Sequence, residues 1–190
     1  MFRDEYECDQ NFITKLKQHG FSNKPLIKDI KLDDLEIFKE KLYKASSENP
    51  EASFSGLYFW VVNDVKSKKS YQLYLGSANE RSANPKTRRG VVGRVFDYTG
   101  VFFPSSPNDF KIQFFDKFIK EQNVECSYTI YFSKFMENNL TLRKLETATR
   151  RSFNCIFENK AVFRNGFKKE IADAYYKVYK NQHFTAKLKN

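Results

Sequence analysis

The sequence is poor in the residues that punctuate or staple a chain. Of its 190 residues, only seven are Gly, five Pro, three Cys, two His and one Trp. So few Gly and Pro exclude collagen-like repeats and linker-like composition. Cys8, Cys126 and Cys155 are odd in number and lack a metal-type spacing, so they read as free thiols of a reducing, cytoplasmic setting. His19 and His183 cannot make a metal site by themselves. No apolar run approaches the roughly 18–20 residues that cross a bilayer, so no membrane association is expected. The charged opening MFRDEYECDQ predicts no secretory leader. Neither an internal repeat nor a low-complexity tract is present.

Aromatic and basic side chains are abundant instead. With 20 Phe and 11 Tyr, the chain is 17% aromatic, and it is 41% hydrophobic. That excludes wholesale disorder and supplies a core for a single domain. The formal net charge is +10. It is unevenly placed. The first 55 residues hold nine Lys/Arg against eleven Asp/Glu, and the remainder holds 24 against 12. A generally lysine-rich composition would be matched by acids throughout, as the N-terminal part is and the rest is not. The one-sided excess points to a polyanionic partner, nucleic acid first.

Residues 10–18 and 33–45 read as amphipathic helices, the second from Leu32, Leu35, Ile37, Phe38 and Leu42. Residues 46–55, with Pro50, form a connector. Leu57 to Val62 is a run of aromatic and β-branched residues, the mark of a buried strand. A lysine-rich turn over 63–70 leads to a second strand, Tyr71 to Leu75. Residues 77–89 are a basic loop. Val91, Val92, Val95 and Phe96 put one apolar face on a helix over 90–98, and 99–108 is loop. A helix over 110–121, a strand over 125–132, and helices over 140–153 and 168–180 complete the chain. The order predicts a layered α/β fold.

Gly56-Leu57-Tyr58 opens the first strand, and Tyr74-Leu75-Gly76 closes the second. Arg94 and Tyr98 lie four apart on the next helix and share a face. Glu146 lies early in the helix after the third strand, and Asn159 follows about a dozen residues later. In this order, the residues resemble the GIY-YIG nuclease superfamily over roughly 56–160. The resemblance implies a small three-stranded sheet flanked by helices. Residues 1–55 would be a helical extension and 161–190 a C-terminal helical segment packed on the core. Two departures stand out. Ser77 occupies a position where many members carry Lys or His, and the segment from Ser77 to Gly93 is longer than the family minimum. Arg81, Lys86, Arg88 and Arg89 in that segment either replace the missing charge or enter a DNA groove.

The resemblance further implies a catalytic set of Tyr58, Tyr74, Arg94, Tyr98 and Glu146. Phosphodiester hydrolysis needs an activated water, charge neutralisation at phosphorus and help for the leaving oxygen. A phenol is a poor base at neutral pH unless its neighbours lower its pKa, which is near 10. Tyr58 is the expected base and Tyr74 its hydrogen-bonding partner, with the roles exchangeable. Arg94 offers a planar fork to a phosphate oxygen. Glu146 is a hard oxygen ligand for Mg²⁺ or Mn²⁺, in a site where one carboxylate suffices. Tyr98 either touches the scissile phosphate or orients Arg94. Ser77, Arg81, Lys86, Arg88, Arg89 and Asn159 are the expected DNA contacts.

Plainer readings stand beside each assignment. The tyrosines are also ordinary strand aromatics. Arg94 suits a solvated helix face, and Glu146 suits an ion pair with Arg143 or Arg150 on its own helix. Asn159 is also an ordinary turn residue, and Cys155 reads as core. Three functions follow: a metal-dependent DNA endonuclease, a non-catalytic nucleic-acid-binding module of the same fold, or a basic interaction protein. The compact chain favours a self-contained restriction-type nuclease, acting as a dimer by analogy, over repair or homing types.

Overall fold

The computed structural model describes residues 2, 4–33, 35–79, 90–97, 119–120, 123–134 and 139–157. Four strands form one antiparallel sheet: β1 (Ile27–Ile30), β2 (Gly56–Asp64), β3 (Ser70–Ala78) and β4 (Cys126–Phe132), in the order β1-β4-β2-β3. Four helices are described: α1 (Phe12–Gln18), α2 (Leu35–Glu48), α3 (Gly90–Asp97) and α4 (Asn139–Arg150). The expected strands and helices between 56 and 153 lie within a few residues of these. Of the helix expected over 110–121, residues 119 and 120 are described and are helical. The one expected over 168–180 lies outside the described residues.

Among the described residues the sheet has four strands, one more than the three expected. The extra strand comes from the N-terminal segment expected as a helical extension, between its two expected helices. In β1, Ile27 and Ile30 are buried while Lys28 and Asp29 are exposed. The register slips between the two isoleucines, and Asp29 has φ 50°, a left-handed conformation that Asp tolerates better than most residues. A four-residue strand with a slip at its centre carries no alternation for a sequence reading to find.

Strand β2 is buried on both faces, which explains its unbroken apolar run. Tyr58, Trp60 and Val62 join Tyr74 and Tyr128 on one face, where Phe38 and Leu42 of α2 and the valines of α3 cover them. Leu57, Phe59 and Val61 turn to the other face, against Phe12 and Leu16 of α1, Leu142 of α4 and Phe153. Phe59 is fully buried there. Phe12 and Phe153 meet it edge-on at 5.4 and 4.9 Å between ring centres. Such edge-to-face pairs add about 0.5–1.5 kcal/mol each beyond the area they bury. A bulge between Trp60 and Val61 lets both Leu73 and Tyr74 reach the first face.

Candidate active site

The hairpin register sets the two tyrosines two positions apart. Tyr58 lies opposite Gly76, and Trp60 lies opposite Tyr74. Both tyrosines point to the α2/α3 face, with ring centres 6.2 Å apart and planes at 42°. Each is 1% exposed. The Tyr58 ring lies across the strand over Gly76. A methyl on Gly76 would sit 2.5 Å from Tyr58 Cζ and 3.0 Å from Cε2, and would collide with the hydroxyl. Gly56 is confined in a different way. A methyl there would run into the Ser133 carbonyl oxygen, 3.0 Å from its carbon and 3.2 Å from Val91 Cγ2. The glycines that bracket Tyr58 and Tyr74 are therefore both demanded by close approach, one of a ring and one of a backbone.

Helix α3 lies on the tyrosine face. Val91, Val92, Val95 and Phe96 are buried in it, and Val91 N donates to Phe54 O at 3.2 Å. Arg94 stands beside that apolar stripe in the last turn and is half-buried.

Glu146 approaches from the other side. Leu142 is fully buried among Leu57, Phe59 and Leu75, so α4 packs on the face away from the tyrosines. Ser77 lies opposite Leu57 on that face, and its hydroxyl donates to Glu146 Oε2. Arg150 Nη2, one turn along α4, donates to Glu146 Oε1 and reaches Leu75 O at 3.4 Å. The Glu146 side chain is 12% exposed and that of Arg150 is 21%. The ion pair weighed for Glu146 with Arg150 is thus present.

The structure brings Tyr58, Tyr74, Ser77 and Glu146 to one stretch of β3, residues 74–77, but from its two faces. β3 is an edge strand. Cys8 N bonds to Ser70 O, and Ile156 and Phe157 bond to the carbonyls of Gln72 and Leu73. The tyrosine side and the carboxylate side are thus the two faces of this one stretch of strand. Tyr98, Arg81, Lys86, Arg88, Arg89 and Asn159 lie outside the described residues.

One carboxylate and one hydroxyl, Glu146 and Ser77, are the oxygen side chains joined here. That donor set fits Mg²⁺, which keeps most of its waters and takes few protein ligands. Among the described residues, no cluster of three His, Cys, Asp or Glu side chains gathers as a metal cage. Sequence reasoning missed Ser133. Its hydroxyl accepts from Leu57 N at 3.2 Å, and its amide donates to Leu57 O at 2.9 Å, which closes the sheet beside Gly56. Nothing in a lone serine after a strand signals that role. Two clefts lie elsewhere, one of about 310 Å³ on the outer side of α4 and one of about 430 Å³ between α1 and the β2–β3 turn. No described helix is long and apolar enough to cross a membrane. Compared with known proteins, the chain matches no family model, no curated protein and no solved structure.

Proposed function

We propose that the chain is a metal-dependent endonuclease that hydrolyses DNA phosphodiester bonds, of the self-contained restriction type. One observation carries the reading. The Tyr58 phenol lies over Gly76, and the Ser77-bound Glu146 lies beneath the adjoining residue of the same edge strand. A base, a phosphate-facing arginine and a carboxylate are the groups the hydrolysis needs. The basic balance beyond residue 55 supplies the attraction for a polyanion.

In this mechanism, Tyr58 as its phenolate takes the proton of the attacking water and becomes the neutral phenol, and Tyr74 positions its oxygen. Arg94, with its fixed fork of donors, holds a non-bridging phosphate oxygen as negative charge builds there. Tyr98 orients Arg94 or the phosphate. Glu146, with Ser77 beside it, would hold the Mg²⁺ or Mn²⁺ that neutralises the leaving oxygen. An ion held there would take the Glu146 oxygen that Arg150 now contacts, and the Arg150 guanidinium would then be available to a phosphate oxygen. Arg81, Lys86, Arg88, Arg89 and Asn159 contact the DNA.

The second reading, a nucleic-acid-binding module without catalysis, is favoured by the burial of both tyrosines and by the closure of Glu146 on Arg150. Plasmid DNA with and without Mg²⁺ separates the two. Cutting that needs the ion and is lost in Arg94→Ala and Glu146→Ala supports the nuclease. Binding without cutting in any divalent ion supports the module.

A further inference from the structure

The outer side of α4 carries a charge pattern that the site does not use. Arg143 and Lys144, Thr147 and Ala148, and then Arg151 in the following turn succeed one another at helical spacing, and all five are exposed. They line a shallow depression of about 310 Å³, with small side chains at its floor and basic ones at both ends. Among the described residues, none of Arg143, Lys144 and Arg151 has an ion-pair partner. The only acid within α4, Glu146, is turned inward and engaged by Arg150 and Ser77. Among the described residues, no large apolar side chain lines this depression, in contrast to the Trp, Phe or Leu that an interfacial membrane helix buries.

From Arg143 to Arg151 the helix rises about 12 Å. Laid along the axis of a duplex, that length passes three to four phosphates of one strand, at about 3.4 Å of axis each. The floor of Thr147 and Ala148 lets a sugar-phosphate chain approach the helix, and the flanking cations meet its charges. We infer that the outer face of α4, through Arg143, Lys144 and Arg151, is a sequence-independent docking surface for the backbone of duplex DNA. This rests on the nuclease reading and extends it. The helix that presents Glu146 inward clamps the same substrate from its outer side, apart from the 77–89 loop expected to contact DNA. Contacts of this kind position a duplex and do not read bases.

The test is fluorescence anisotropy of a labelled 30-base-pair duplex, with the full chain, Ca²⁺ in place of Mg²⁺, and 50–200 mM NaCl. Each phosphate contact contributes about −0.9 to the slope of log affinity against log salt. Replacing three cations, in R143Q/K144Q/R151Q, should flatten the slope by 2–3. The affinity loss between 50 and 200 mM salt should then be smaller than that of wild type by about 40-fold. R143K/R151K should keep the wild-type slope, as should K17Q/K24Q/K41Q, which removes three exposed lysines from other elements. A wild-type slope in R143Q/K144Q/R151Q overturns the inference. If that variant also cuts plasmid normally, the nuclease reading survives alone. Wild-type protein that binds no duplex overturns both. Binding only to RNA, or only to vesicles containing phosphatidylserine, overturns the docking surface as stated.

Discussion

Gly76→Ala has an expected effect whose sign is opposite to the usual one. In a strand, Gly costs roughly 0.5–1 kcal/mol relative to Ala, so the substitution would ordinarily stabilise. Here the new methyl lands 2.5 Å from Tyr58 Cζ, where carbon atoms settle at about 3.5–4.0 Å. The ring must move by about 1 Å within a core where it is 1% exposed and packed near Tyr74. Overpacking of this sort costs about 1–3 kcal/mol. At about 2–4 °C per kcal/mol for a chain of this length, Tm should fall by about 2–12 °C. Thermal and urea unfolding, followed by circular dichroism, measure it. In a Tyr58→Leu background the phenol is gone, and Gly76→Ala should become neutral or stabilising. The two changes should thus be coupled by at least 1 kcal/mol. A Gly76→Ala protein more stable than wild type would refute the placement of Tyr58 over the strand.

Two further outcomes follow from the same contacts. Burial pushes the Cys8 thiol well above its ordinary range, and nearby Cys155, Asp9 and Glu7 add to the effect. A folded-state pKa raised in this way contributes stability below about pH 8.5 that is lost as pH rises beyond it. The loss approaches 1.4 kcal/mol per pH unit for one thiol. Urea midpoints from pH 8 to 10 should therefore fall more steeply for wild type than for Cys8→Ala, and equal slopes would contradict this. Arg150→Gln should lower the Mg²⁺ concentration needed for half-maximal plasmid cutting, because Arg150 occupies a Glu146 oxygen the ion would take. With the pair worth about 1 kcal/mol, the shift is about fivefold. An unchanged or higher Mg²⁺ requirement would count against the exchange of Arg150 for the ion.

The sheet's centre was legible because its strand is greedy for burial. Leu57 to Val62 offers no polar face, and its short length and aromatic and β-branched residues favour a strand covered on both sides, as β2 is. Helix α3 was legible from four apolar residues at helical spacing, all of which are buried. β1 was not, because its slip and the left-handed Asp29 erase the pattern that two inward isoleucines would otherwise leave.

For the proposed site, the sequence offers residue types and not their geometry. Nothing in the spacing of Tyr58, Tyr74 and Glu146 says that the tyrosines and the carboxylate approach β3 from opposite faces. That outcome depends on α4 burying Leu142 against Phe59 and not against Trp60, a choice made by tertiary packing. Ser77 is a related case. Its hydroxyl donates to Glu146, because its register partner Leu57 faces α4, and no spacing in the sequence announces that bond.

The most direct measurement is the single-turnover rate of duplex cleavage with protein in excess, in Mg²⁺, for wild type and Glu146→Ala. The account predicts cleavage that vanishes on chelation. It also predicts a fall of at least about 10²-fold in Glu146→Ala, as for other losses of transition-state charge stabilisation, with duplex affinity little changed. Cleavage by Glu146→Ala at the wild-type rate, or duplex binding by wild type with no cleavage in any divalent ion, would contradict it.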